Sequence, residues 1–113
     1  CLKTGITSGA VSGVGATSYA EIHAGDEAKG TFGSSEHHGK MELVSLTGNI
    51  TIKEGQITPH LHVVLSGPRG LEVFAGHLEK GIVINTAEVY IQKLDGTITK
   101  KPVGPWYFMD LHA

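Results

Sequence analysis

The sequence predicts an α+β domain: an antiparallel β-sheet with one or two short helices. Three observations carry this. Most of the chain falls into runs rich in Val, Ile, Thr and Tyr that alternate apolar and polar residues, the period of a half-buried strand. Sixteen glycines are spread along the chain, where they punctuate strands rather than mark a flexible linker. The opening Cys1-Leu2-Lys3-Thr4 followed by Gly5 reads as the last turn of a helix, with Gly5 as its terminating residue.

The elements follow in order. Ile6 to Val14 and Thr17 to His23 read as strands interrupted by glycine. Ala24 to Lys40 is polar and reads as a long loop or ragged hairpin around Thr31-Phe32. Met41 to Gly48 alternates as a strand, continued by Asn49 to Lys53 past an expected bulge at Gly48. Glu54-Gly55-Gln56 is a turn. Ile82 to Leu94 is the longest apolar-rich stretch, and its β-branched residues favour strand over helix. Asp95-Gly96 is a hairpin signal before Thr97 to Lys101. Trp106 to Met109 closes the chain as a final strand.

The chemistry concentrates between Pro59 and Leu78. Pro59 is tolerated at a strand start. His60, His62 and Val64 alternate with Leu61, Val63 and Leu65, so both histidines share one face. Gly67-Pro68-Arg69-Gly70 has turn chemistry, and Leu71 to His77 is the return strand. Pairing Ser66 with Leu71 places His60 opposite His77, with Cβ atoms roughly 4.5–5.5 Å apart. Three imidazoles then converge from two strands. A one-residue slip would send His77 to the other face. Imidazole is the commonest neutral metal ligand, and three of them leave a fourth position open, as in a catalytic or exchangeable zinc site. Zinc or another divalent transition metal is the expected cofactor, and a small-molecule ligand suits the open position.

Composition narrows the function. The chain has 113 residues, enough for one domain with one core. It carries 9 Lys and Arg against 11 Asp and Glu, a net charge of −2, without a basic run beyond Lys100-Lys101, which reads as a solvated strand end. Nucleic-acid binding by bulk electrostatics is therefore not expected. Cys1 is the single cysteine, which fits a reducing cytoplasmic setting. No apolar run is long enough for a transmembrane helix, and the first residues lack the core of a signal peptide. The glycines of Gly13-Val14-Gly15 mimic part of a dinucleotide fingerprint, but Ser18 stands in place of the third glycine; close strand packing is the better reading.

Four segments together carry a resemblance. MELVSLTGNITI, ITPHLHVVLSG, FAGHLEKG and NTAEVYI stand in the order seen in the plants and prokaryotes conserved (PPC) domain family, and Gly9 to Ala16 resembles its early glycine-rich segment. Ala75 replaces the first glycine of the family's G-G-H-L element. The resemblance implies one PPC-like domain over residues 1–113, without the family's opening strand and most of its first helix, and it implies a homotrimer. Plant relatives join the domain to an AT-hook; this chain has no such tripeptide. Some relatives look like metal proteins with three histidines, and His60, His62 and His77 fall on those positions. The last twenty residues match no family pattern.

Two carboxylates, Glu42 and Glu88, sit within strand-like runs and are the candidate catalytic bases. Three functions follow: a stand-alone metal-binding trimer, a DNA-associated interaction module, or a small zinc hydrolase in which Glu42 or Glu88 assists a zinc-activated water. Ile82 to Ile91 puts apolar residues on both faces of one strand, which demands cover on both sides. One short helix covers one face, so a second copy of the chain is the expected cover for the other.

Overall fold

The computed structural model describes residues 4–26 and 31–112. It holds six strands: β1 (Gly9–Asp26), β2 (Thr31–Lys53), β3 (Gln56–Ser66), β4 (Val73–Lys93), β5 (Thr97–Val103) and β6 (Trp106–His112). Strands run in the order β1-β4-β3-β2-β5-β6, and β1 also pairs with β2. That extra pairing closes β1, β2, β3 and β4 into a ring of antiparallel ladders. Closure removes the open edges that a sheet otherwise exposes.

The expected α+β class is corrected. Among the described residues the helical content is one 3-10 turn, Pro68–Gly70. The helix end expected at Cys1 to Thr4 lies outside the described residues for positions 1–3. Thr4 and Gly5 form a turn, with Gly5 at φ +71°. The sheet is also mixed, because β5 runs parallel to β2 through Ile52↔Thr99 and Lys53↔Lys100.

Two local readings are refined. Of the two forms expected for the polar stretch at 24–40, a long loop or a ragged hairpin, the described residues take the hairpin. β1 and β2 stay paired out to Asp26↔Thr31, with residues 27–30 outside the description. Its side chains are polar because this part of the hairpin faces solvent, Ser34, Glu36 and His38 being exposed; the backbone ladder does not depend on them. Asp95-Gly96 does turn the chain, with Gly96 at φ +83°. It does not join β4 to β5 as a hairpin. β5 pairs instead with β2 and, antiparallel, with β6. Ser8 anchors the start of that arm: its carbonyl accepts from the Leu94 amide at 3.0 Å and its hydroxyl accepts from the Ile98 amide at 3.0 Å.

The core follows from alternation. Val11, Ala20 and Ile22 of β1, Met41, Leu43, Leu46 and Ile50 of β2, and Val63 and Leu65 of β3 are buried in one cluster, with Phe74 and Leu78 of β4 packed against it. The change from odd to even core positions along β2 coincides with the register shift between Leu43 and Ser45. The irregularity therefore sits at Val44, not at Gly48. Gly48 has another role: a Cβ there would strike the His60 carbonyl oxygen and come within 2.9 Å of the Leu61 Cα. Only glycine lets β3 approach β2 at this point, and His60 is the residue so placed.

Gly13 and Gly15 lie inside β1, where a Cβ at Gly13 would sit 2.7 Å from the Glu88 carbonyl oxygen. They serve close strand packing, as expected, and no phosphate loop is formed.

Candidate metal centre

Residues on β3 that alternate with the core residues Val63 and Leu65 point away from the core. His60 and His62 are two of them. The ladder between β3 and β4 starts at His62↔His77 and ends at Ser66↔Val73. The expected register, with His60 opposite His77, is therefore off by two residues. The connection is longer than the four-residue turn read from sequence. The Gly67 amide donates to the Glu72 carbonyl at 2.9 Å, and the loop between them folds as a 3-10 turn with Arg69 at φ 59°. A two-residue shift keeps every side chain on its face, so the three histidines still converge.

Their geometry is close. His60 Nε2 lies 3.2 Å from His77 Nδ1. The His60 and His77 rings stack at 5.1 Å and 16°, and the His62 ring centroid is 4.2 Å from that of His77. One ligand atom from each ring lies within 4.8 Å of those of the other two. His62 is exposed, while His60 and His77 are half-buried. Gly76 aids the placement of its neighbour His77: at φ +157°, a Cβ would stand 2.7 Å from the His23 carbonyl oxygen.

Burial and neighbouring charge favour the neutral form of His60 and His77. Burial, then the charge of Lys100, then the other two histidines hold His60 below the ordinary 6.5. His77 is lowered by burial first and by His62 next, with Glu79 opposing. A neutral imidazole is the form that binds metal. The donor set also fits a divalent transition metal in spacing. Tetrahedral zinc with nitrogens at about 2.0–2.1 Å separates them by about 3.3 Å, close to the 3.2 Å between His60 and His77. Bringing in the exposed His62 takes a ring movement on the order of 1 Å.

Glu42 and Glu88 lie elsewhere. Together with Val14, Ser66, Asn85 and Thr86 they line an open cavity of about 590 Å³ whose wall holds none of the three histidines. The two carboxylates thus meet each other's cavity but not the histidine cluster.

Two residues near the cluster carried no functional reading in the sequence. His23 pairs directly with His77 across β1 and β4, and its ring lies 3.3 Å from Glu21 Oε1 and 3.6 Å from Glu79 Oε1. Lys100 is half-buried rather than a solvated strand end, and its charge acts on both His60 and His77. Both depend on strand pairings distant in sequence, so no local pattern announces them. His37, expected in a solvated loop, instead packs its ring 3.9 Å from that of Phe74.

The family model of the Plants and Prokaryotes Conserved (PCC) domain matches residues 1–95. The chain belongs to this family. A PPC protein from Pyrococcus horikoshii is 36% identical; the match covers 92% of this chain and 72% of that one, with a TM-score of 0.83. A metal-containing protein from Archaeoglobus fulgidus is 29% identical over 88% of this chain and 69% of its own, with a TM-score of 0.76. A candidate DNA-binding protein from Bacteroides thetaiotaomicron reaches a TM-score of 0.89 over 97% of this chain and 78% of its own. At 24% identity that last likeness is one of fold. No curated protein matches the chain.

Proposed function

We propose that this PPC-domain chain binds one divalent transition metal, zinc by donor chemistry, through His60, His62 and His77, and acts as a metal-dependent ligand-binding protein. The observation that carries this reading is the convergence of three imidazole nitrogens within 4.8 Å of one another from two adjacent strands. A relative described as metal-containing supports it. A zinc ion held by three neutral imidazoles supplies a Lewis acid with one open position. The chain's own contribution is to favour the neutral form of His60 and His77, chiefly through burial, and to hold the rings in place, through Gly48 and Gly76.

Ligand binding is favoured over hydrolysis because neither Glu42 nor Glu88 lines the cluster. A DNA-associated role has less support still, since the chain is acidic overall and has no run of Lys or Arg beyond Lys100-Lys101. No helix among the described residues is long and apolar enough to cross a membrane, and the single cysteine suits the cytoplasm.

We propose a homotrimer as the working state. Ile82, Val83, Val89, Tyr90 and Ile91 of β4 are all exposed in the single chain, as are Val14 and Val44. An apolar surface of this kind marks an interaction site; the number three rests on the family resemblance. Elemental analysis of untagged protein should give one zinc per chain, and light scattering should give three chains of 11.9 kDa each. Protein that takes up no transition metal from a zinc-supplemented buffer would refute the metal reading.

A further inference from the structure

The histidine cluster is short of negative charge. No carboxylate belongs to the ligand set. Glu79, the acid that acts on His77, lies against His23 at 3.6 Å. The cation whose charge acts on both His60 and His77 is Lys100, and no acidic partner holds it among the described residues. Its placement follows from register. Asn49 pairs with His60, Thr51 with Thr58 and Lys53 with Gln56 across β2 and β3, and Lys53 pairs with Lys100 across β2 and β5. Paired residues share a face, so Asn49, Thr51, Lys53 and Lys100 lie on the histidine side of the sheet.

Lys53 is already engaged. Its ammonium stands 4.2 Å from the centroid of the Tyr107 ring, and the Tyr107 hydroxyl donates to Glu54 at 2.6 Å. Lys100 is not so engaged, and burial together with the charge of Lys53 disfavours its protonated form. On the same face, Asn49 Oδ1 and Thr51 Oγ1 are buried without a hydrogen-bond partner among the described residues. A half-buried cation, a threonine hydroxyl free to donate and a metal site with no anionic ligand all call for the same complement.

We infer that the metal-loaded cluster takes a small oxyanion, a carboxylate or a phosphate, with one oxygen in the open coordination position and Lys100 as its counter-charge. Asn49 and Thr51 lie on the same face of the sheet as the histidines; a threonine hydroxyl donates, and a carboxamide donates once its amide is turned. The inference rests on the metal reading above and names the ligand class for that site.

Cobalt(II) in place of zinc makes the test visible. Acetate and inorganic phosphate are titrated separately, at constant ionic strength, into the cobalt-loaded full chain, and the visible absorption of the metal is followed. Wild-type protein should show a saturable spectral change with at least one of the two anions. Lys100→Met should weaken that affinity about tenfold or more, the scale of a lost hydrogen bond to a charged group, with the cobalt content per chain unchanged. Lys100→Arg should retain binding. Lys101→Met removes the exposed neighbouring charge, which alternation places on the other face of β5, and should have little effect. A chain that takes up no cobalt overturns both readings. Cobalt uptake without an anion response, or equal losses in Lys100→Met and Lys101→Met, overturns this one alone.

Discussion

Replacing His62 with alanine separates metal ligation from folding. His62 is the exposed member of the triad, so its removal leaves no cavity, and exposed substitutions of this kind change stability by about 0.5 kcal/mol or less. The effect on zinc should be far larger. Complete structural zinc sites bind with about 10–16 kcal/mol, or roughly 2.5–4 kcal/mol per protein ligand when shared over four. Losing one of three imidazoles should therefore weaken zinc binding on the order of 100- to 1,000-fold. The stacked pair His60 and His77, 3.2 Å apart, remains to hold the ion loosely. Competition against a chromophoric chelator measures the affinity, and thermal melts of metal-free protein measure the stability. Zinc affinity within threefold of wild type would show that His62 is not a ligand and would break the argument from convergence. A large drop in the metal-free melting temperature would instead show that His62 holds the fold.

Other consequences can be measured as readily. Gly48→Ala should destabilise the domain by about 1–3 kcal/mol, the cost of overpacking, and should weaken zinc binding as well, because the added Cβ presses on the His60 backbone; chemical denaturation and chelator competition report the two effects. Leu65→Ala, at a fully buried core position, should cost about 2–5 kcal/mol in urea unfolding while metal stoichiometry of the folded fraction stays the same. His60 and His77 titrate below 6.5 in the folded chain, so as pH falls below 6.5 the unfolded chain binds more protons than the folded one. Stability of metal-free protein should therefore decline from that point downward through the folded pKa values, and a His60→Gln/His77→Gln double variant should show a shallower slope in melts from pH 7.5 to 5. The chain alone should bind AT-rich duplex DNA weakly at physiological salt, given 9 basic against 11 acidic residues; a submicromolar, salt-sensitive affinity by fluorescence polarisation would contradict this.

The histidine site was legible because alternation is robust. His60 and His62 share a face whatever the register, and the error in the turn was an even number of residues, which spared His77. The turn's composition was read correctly, but its shape was not: Arg69 in the left-handed region is uncommon for a residue with a Cβ, and it helps lengthen the connection from four residues to six. Gly48 was recognised as unusual and given the wrong cause, since a bulge and a close backbone approach both favour glycine. Local polarity at 24–40 reports exposure, which a loop and a solvent-facing hairpin share, so composition alone does not choose between them. The β1–β4 ladder and the short parallel contact of β2 with β5 join segments far apart in the chain. They brought His23 and Lys100 to the cluster, and nothing in the neighbourhood of either residue reveals such a partner. For the same reason Glu42 and Glu88 could be placed on strands but not beside or away from the histidines.

The four ladders of the ring are unequal, and this gives the metal a mechanical role. The ladder between β3 and β4 is the shortest, running only from His62–Ser66 against Val73–His77, whereas β1 and β2 stay paired along nearly their whole lengths. With the fewest rungs it is the seam expected to open first, and His62 and His77 form its last rung. An ion held by His60 and His62 on one side and His77 on the other would rivet that seam at its open end. Hydrogen exchange should then slow selectively on loading, at the amides of 62–66 and 73–77, while the long β1–β2 hairpin exchanges as before. Loss of the ion would loosen the ring at one place without unfolding it, so metal occupancy becomes something a partner at this edge can feel.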